Sequence, residues 1–276
     1  MPSLKGRTVF ITGGSRGIGR ALALRCAQDG ANIIIAAKSV TPHPTLDGTI
    51  YSVAAEIEAA GGQALPLQVD VREQQQVIDA MAQAAERFGG IDLLVNNAGA
   101  LHVGGVETTP LKKYDLIQTV NHRATFVCAQ AALPYLKRSD HAQILSFSPP
   151  INLAPHWLGA YSPYALSKYG MTLLTLGMAE EFKSYGIACN TLWPTTLIAT
   201  DAVSKTLGIQ ATELMSRRPS IMADAAYSIL SGAAGSLNGQ TLLDEQALCL
   251  AGITDFLTYA CTPEQADQIA KDLFVD

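Results

Sequence analysis

Paired cysteines, basic charge and long apolar runs are all scarce in this sequence. Its five cysteines, Cys26, Cys128, Cys189, Cys249 and Cys261, are scattered, odd in number and never form a CxxC pair. That spacing offers neither a disulfide framework nor a thiolate metal site, and it suits a reducing compartment. Lysine and arginine total 19 against 24 aspartates and glutamates, a formal net charge of −5. No basic face large enough to release many phosphate counterions is evident, which argues against a nucleic-acid binder. No apolar run approaches the roughly 18 residues of a membrane span. The amino-terminal MPSLKGRTVFITGG lacks the apolar stretch of an export signal. The expectation is a cytoplasmic protein that works on small molecules.

What is present is apolar substance: 48% of the 276 residues are hydrophobic and 16% charged, enough to bury a full core as one domain or at most two. Strand-length apolar runs alternate with segments of helical period. RTVFIT (7–12) precedes a helix from Gly17 to about Asp29, ANIIIAAK (31–38) a helix near 50–60, and QALPLQVD (63–70) a helix near 73–88. IDLLVNNAG (91–99) precedes a long helix near 111–138, QILSFS (143–148) one near 162–185, and IACNTLW (187–193) one near 224–231; GQTLLDE (239–245) closes the series. Near-continuous apolar strands separated by helices imply a parallel sheet covered on both faces, a doubly wound α/β fold. No repeat or composition shift marks a linker, so a single domain over residues 1–276 is expected.

Three segments, 41–49, 149–157 and 194–222, break the alternation, and such segments usually carry specificity. The last holds Leu197, Ile198, Val203, Leu207, Leu214 and Met215 among polar residues. That fits either a substrate lid over about 194–223 or an amphipathic helix packed on the core. In the tail from 246 to 276, TPEQ (262–265) reads as a helix start with Thr262 as N-cap.

TGGSRGIG (12–19) follows a strand and opens a helix. Gly13, Gly17 and Gly19 fall where the backbone turns tightly, and the unpaired N–H groups and dipole of a helix start suit a pyrophosphate. A Gly-rich turn without a ligand produces the same pattern. An acidic residue ending the second strand would accept from a ribose 2′-hydroxyl and repel a 2′-phosphate. Here Lys38 stands there and Arg16 sits in the glycine loop. Two cations and no carboxylate favour NADP over NAD, unless Lys38 is only a solvated strand-end lysine. YALSK (164–168) sets Tyr164 and Lys168 at i and i+4 on one helix face. A phenol with a pKa of about 10 is drawn toward phenolate by a nearby ammonium and can then exchange a proton with a carbonyl or alcohol oxygen.

Taken in order, TGGSRGIG, NNAG (96–99), Asn121 in VNHRATF, and YALSK resemble the short-chain dehydrogenase/reductase family, over about Leu4 to Glu245. Within it, AAKSVTPHPTLDGTIYS, SPPINLAP and KYGMTLLTLGMAEEF are similar to the hydroxysteroid dehydrogenase-like branch, without the sterol-carrier domain its animal members append. The resemblance implies a seven-stranded parallel sheet of order 3-2-1-4-5-6-7 with NADP(H) across the strands' carboxyl ends. It implies that Gly13, Ser15, Arg16, Gly17, Ile18 and Gly19 cradle the cofactor and that Lys38, Asp70 and Val71 meet its adenosine end, Asp70 touching the adenine. Asn96, Asn97, Ala98 and Gly99 would line the ribose, with Pro194 and Thr196 near the nicotinamide. Tyr164 would be the general acid/base, and Lys168 would hold the nicotinamide ribose and depress the phenol. Asn121 would position a water that links Lys168 to solvent, or else bond a neighbouring carbonyl from inside its helix.

Three positions depart from that pattern. Pro194-Thr195 replaces the usual Pro-Gly, and Asp244-Glu245-Gln246 the usual acidic-Gly-Gly. The serine usually found thirteen residues before the tyrosine is Ile151. Setting Ile144 and Leu145 on the family's apolar pair puts Ser148 on the first of the usual Ser-Ser and Pro149 on the second, the catalytic one. Ser148 is therefore expected either to face Tyr164 and polarise the substrate oxygen, or to be a strand-end hydroxyl satisfied by backbone. Ser146 shares its face but lies further from the strand's carboxyl end. The expected activity is hydride transfer between NADP(H) and a carbonyl or alcohol of a hydrophobic small molecule, with no metal. The alternative is a dinucleotide-binding protein whose chemistry has decayed, acting as a cofactor sensor or an assembly subunit. Relatives pair through the two long helices, which implies a homodimer or homotetramer.

Overall fold

The computed structural model describes residues 3–232 and 235–276. In chain order it runs β1 (Thr8–Thr12), α1 (Gly17–Ala27), β2 (Asn32–Ala37), α2 (Ile50–Ala59), β3 (Gln63–Gln68), α3 (Gln74–Phe88) and β4 (Leu93–Asn96). It continues with α4 (Leu111–Gln118), α5 (Ala124–Leu136), β5 (Gln143–Phe147), α6 (Pro155–Glu181), β6 (Ala188–Trp193), α7 (Asp201–Leu207), α8 (Ile209–Met215), α9 (Ser220–Leu230), β7 (Thr241–Leu243) and α10 (Asp244–Leu250). The strands form one parallel sheet of order β3-β2-β1-β4-β5-β6-β7, as expected. The order reverses between β1 and β4, the crevice where open α/β sheets bind ligands.

Strand alternation divides the core. Val9, Ile11, Ile33 and Ile35 face one layer with Leu22, Val53, Ile57, Ile221 and Ile229 from α1, α2 and α9. Phe10, Ile34, Leu94 and Ile144 face the other, with Val77, Met81, Val127 and Met178 from α3, α5 and α6. Central β2 is buried along its whole length, whereas β3 is partly exposed and carries Pro66, which an edge strand tolerates.

Departures from the expected elements concentrate around the site. The helix expected over 111–138 is three pieces, because a π-helical turn, Thr119–Arg123, separates α4 from α5 and contains Asn121. The helix expected from 162 begins at Pro155, and Tyr161 leaves helical geometry (φ −137°) just ahead of Pro163. Proline supplies no N–H and clashes with the preceding turn, which accounts for the kink. Segment 194–222 holds α7 and α8, separated by Gly208 at φ +86°. The last strand ends at Leu243, so Asp244 and Glu245 form the first turn of α10. TPEQ leads into a 3-10 helix, Pro263–Gln268, and the Thr262 hydroxyl donates to the Glu213 carbonyl (3.2 Å) instead of capping.

Candidate active site

The turn after β1 packs directly on the loop after β4. A Cβ on Gly13 would lie 2.9 Å from the Ala98 Cα, and one on Gly19 would lie 2.6 Å from the Gly13 carbonyl, so neither position admits a side chain. Asn97 staples the two loops, its amide donating to the carbonyls of Thr12 (2.8 Å) and Gly13 (3.0 Å). The adjacent Asn96 turns the other way, its amide donating to Ser146 Oγ (3.3 Å), so Asn97 and not Asn96 faces the cleft. That cleft, about 460 Å³, is lined by Gly13, Ser15, Arg16, Gly17, Ile18, Lys38, Asp70, Val71, Asn97, Ala98 and Gly99 among others. Gly19 is not on its wall, and its part is the close packing beneath the turn.

The cleft suits a phosphorylated dinucleotide. Arg16 precedes α1 in extended geometry, and no side chain caps the helix. Its leading N–H groups and dipole are therefore available to an anion. Among the described residues, the Arg16 Nε and the Thr196 hydroxyl are buried without a hydrogen-bond partner, as several other buried polar atoms are. Arg16 Nη2 donates to Ser39 Oγ (2.9 Å) and the Gly48 carbonyl (3.1 Å), which fixes the guanidinium at the end of β2. Lys38 lines the same cleft, its Nζ 3.7 Å from Asp70 Oδ2. Arg72 takes Asp70 in a bidentate fork, and this pairing holds the carboxyl down at about 2. Asp70 thus stands in the cleft wall as an ionised, already engaged group.

Beyond the cleft lies a cavity of about 230 Å³ where Tyr164, Lys168, Trp193, Pro194 and Asp272 meet. Lys168 Nζ donates to the Phe147 carbonyl (2.8 Å) and lies 5.2 Å from the centre of the Trp193 ring. Burial lowers its pKa to about 8. Tyr164 differs from expectation: burial first, then the charge of Asp272, pushes its phenol above the ordinary value instead of below it. Asn121 is fully buried beside Lys168, and a Cβ on Gly99 would be 3.6 Å from both Asn121 Oδ1 and Lys168 Nζ. Its side chain is committed to protein, donating to Ser167 Oγ (2.8 Å) and the Ala100 carbonyl (3.1 Å) and accepting from the Ala100 N–H (2.8 Å).

Ser148 does not line this cavity. It is fully buried, and its hydroxyl is hydrogen-bonded to Thr172 Oγ1 (3.0 Å) on α6. Ser146 is likewise packed against Thr175 (2.8 Å). Both serines tie β5 to α6, so the expectation that Ser148 faces the tyrosine is corrected: its hydroxyl is spent in the sheet–helix seam.

Sequence reasoning missed the residues that close the cavity. Segment 270–276 returns to the site: the Leu197 N–H donates to the Ala270 carbonyl (2.9 Å), and the Asp272 N–H to the Thr195 carbonyl (3.1 Å). Trp193 Nε1 donates to the Leu273 carbonyl (3.0 Å), and Asn152 Nδ2 to the Phe274 carbonyl (3.1 Å). Thr200 and Ala202 at the start of α7 line both cleft and cavity. No local spacing signals these long-range placements, which arise only when the chain folds back.

A parallel sheet of this order, a glycine turn at its switch point and a Tyr–Lys pair at the neighbouring strand ends define a nicotinamide-dependent oxidoreductase architecture. The profile of the short chain dehydrogenase family matches residues 7–207, and the chain belongs to that family. It is similar to hydroxysteroid dehydrogenase-like protein 2 of Danio rerio, 50% identical over 273 residues, which are 99% of this chain. The match spans 65% of that curated relative's length. A short chain dehydrogenase from Mycobacterium thermoresistibile is 49% identical, with a TM-score of 0.92 over 99% of this chain and 96% of that one. A Burkholderia cenocepacia short chain dehydrogenase solved in complex with NADP is 30% identical, with a TM-score of 0.73 over 87% and 96%. No helix among the described residues is long and apolar enough to cross a membrane.

Proposed function

We propose that this chain is an NADP(H)-dependent oxidoreductase that transfers hydride between the nicotinamide and a carbonyl or alcohol carbon of a hydrophobic small molecule. The observation that carries this reading is continuity: Ile18, Asn97, Gly99, Ala100, Thr200 and Ala202 line both the dinucleotide cleft and the Tyr164 cavity. A cofactor anchored at Arg16 and Lys38 would reach the tyrosine without a break, with Pro194 and Thr196 at its nicotinamide end. Leu101, Trp193, Ile198, Val203 and Met222 make the remaining wall apolar, which supports a hydrophobic substrate, and α7 would serve as its lid. The NADP-bound neighbour and the Arg16–Lys38 pair support NADP(H) over NAD(H).

When bound, the nicotinamide supplies or accepts the hydride. The protein's part is the proton. Tyr164, its phenol held neutral by burial, enters reduction able to donate to the nascent alkoxide. Lys168, on the same helix face, would hold the nicotinamide ribose and, at about 8, can return a proton to the phenolate. Exposed Phe126 and Leu173 on α5 and α6 flank an apolar groove, which supports pairing of two or four copies through these helices. The five unpaired cysteines support a cytoplasmic setting.

The packing of Phe274 over Tyr164 favours one other reading, a dinucleotide-binding protein without turnover. NADPH oxidation against a panel of aldehydes and ketones, with Tyr164→Phe as control, separates the two.

A further inference from the structure

One carboxylate in the cavity belongs to none of the motifs above. Asp272 shares the wall with Tyr164, Lys168 and Pro194, and backbone bonds from both sides hold it there. Its own N–H donates to the Thr195 carbonyl (3.1 Å), Lys271 bridges antiparallel to Thr196, and the next carbonyl accepts from Trp193 Nε1 (3.0 Å). Its carboxylate Oδ1 accepts from the Leu273 N–H (2.6 Å), and the residue is partly exposed, so the group is not sealed within protein. A carboxyl group whose backbone is fixed on the wall of a substrate-sized cavity, beside Tyr164 and Lys168, is placed to take a polar atom of a bound molecule. Ser148, meanwhile, has no access to that cavity.

We propose that Asp272 is a second catalytic residue, which with Tyr164 holds the reacting oxygen of the substrate in the role left open by Ser148. This rests on the oxidoreductase reading above. In reduction, the carbonyl carbon gains the hydride, the C=O π pair moves onto oxygen, and that oxygen takes the Tyr164 proton. Asp272, as the neutral acid, donates a hydrogen bond to the same oxygen and keeps its own proton. In oxidation the same steps run backwards: the Tyr164 phenolate takes the substrate hydroxyl proton, the carbinol carbon gives up its hydride, and neutral Asp272 keeps its hydrogen bond to that oxygen.

The groups facing Asp272 decide which form is present. Lys168 and Tyr164 come from α6, and Asp244 from the start of α10. Asp244 is itself fully buried, with Oδ1 taken by Thr195 and Glu245 backbone. Neighbouring Lys271 points outward to the Asp276 carbonyl. Burial raises Asp272 to about 7 with a smaller push from Asp244, against the downward pull of the Leu273 N–H and, less, of Lys168. The acid form is therefore present below neutrality and is lost as pH rises through about 7.

The test uses the full chain with NADPH and a carbonyl that the wild-type protein reduces. Asp272→Ala should lose on the order of 10²-fold in kcat/KM for reduction at acidic pH, with NADPH affinity unchanged. Asp272→Asn, nearly isosteric and still a donor, should retain more activity and lose the limb near pH 7 from the kcat/KM profile. Independently of turnover, a carboxyl ¹³C resonance of aspartate-labelled protein should titrate near 7 and vanish in Asp272→Asn. The proposal is overturned if Asp272→Ala stays within about twofold of wild type, if Asp272→Asn keeps the limb, or if no such resonance titrates. It is also overturned if both variants lose NADPH binding along with activity, which would make Asp272 a structural clamp. A wild-type protein that binds NADPH and reduces nothing instead sinks the oxidoreductase reading itself.

Discussion

Phe274 stacks on Tyr164 with ring centroids 6.1 Å apart and planes 24° from parallel. Phe274 is buried, and among the described residues it is the only non-glycine with positive φ, at 71°. A bulky residue rarely holds that conformation unless its surroundings impose it. Here Trp157, Tyr161, Tyr164 and Tyr169 surround the ring.

Phe274→Ala should undock segment 270–276. The ring contributes roughly 1.5–3 kcal/mol of burial, while alanine would still bear the cost of the left-handed backbone. Amide exchange across this segment should accelerate while NADPH affinity holds. Unchanged protection there would mean that the Trp193 and Asn152 hydrogen bonds suffice without the ring.

On the proposed NADP(H) reading, Arg16 and Lys38 hold the cofactor's 2′-phosphate. Charge-assisted hydrogen bonds are worth about 1.5–3 kcal/mol, but the Lys38 side chain is 60% exposed, which screens its share. Arg16→Ala should therefore weaken NADP binding by at least about tenfold and Lys38→Ala by less, with NAD binding little changed in either. Calorimetric titration with both cofactors checks this. Equal losses for NADP and NAD would show that the two cations do not read the phosphate.

Ser148→Ala addresses the serine directly. Thr172 Oγ1 keeps its bond to the Pro149 carbonyl (2.7 Å), so stability should fall by only about 0.5–1.5 kcal/mol. Steady-state turnover should drop far less than the roughly 10²–10⁴-fold that losing a proton-transferring group costs. A loss of that size with NADPH affinity intact would return Ser148 to the reaction.

Much of this molecule was legible before folding. The apolar runs such as NIIIAA and the glycine turn carry local physics, period-two burial and a helix start, so the sheet and its crevice follow from them. Tyr164 and Lys168 are four residues apart on one helix and needed no tertiary information to be paired. Ser148 shows the limit: alternation placed it on a strand face but not which neighbour across the sheet–helix seam would claim its hydroxyl. Asp272 and Phe274 lie more than a hundred residues from Tyr164, and the backbone pairings of 270–272 with 195–197 bring them to it. The phenol's direction of shift differs from the sequence expectation for the same reason, since burial and the charge of Asp272 raise it.

The central claim is that Tyr164 passes the proton in an NADPH-linked carbonyl reduction. Its most direct test is the rate of NADPH oxidation by wild type and Tyr164→Phe over a panel of apolar aldehydes and ketones, alongside NADPH affinity for both proteins. The account predicts turnover by wild type and a loss of at least about 10²-fold in the variant, with equal NADPH binding. Equal turnover by the two proteins, or NADPH binding by wild type with no carbonyl reduced, would contradict it.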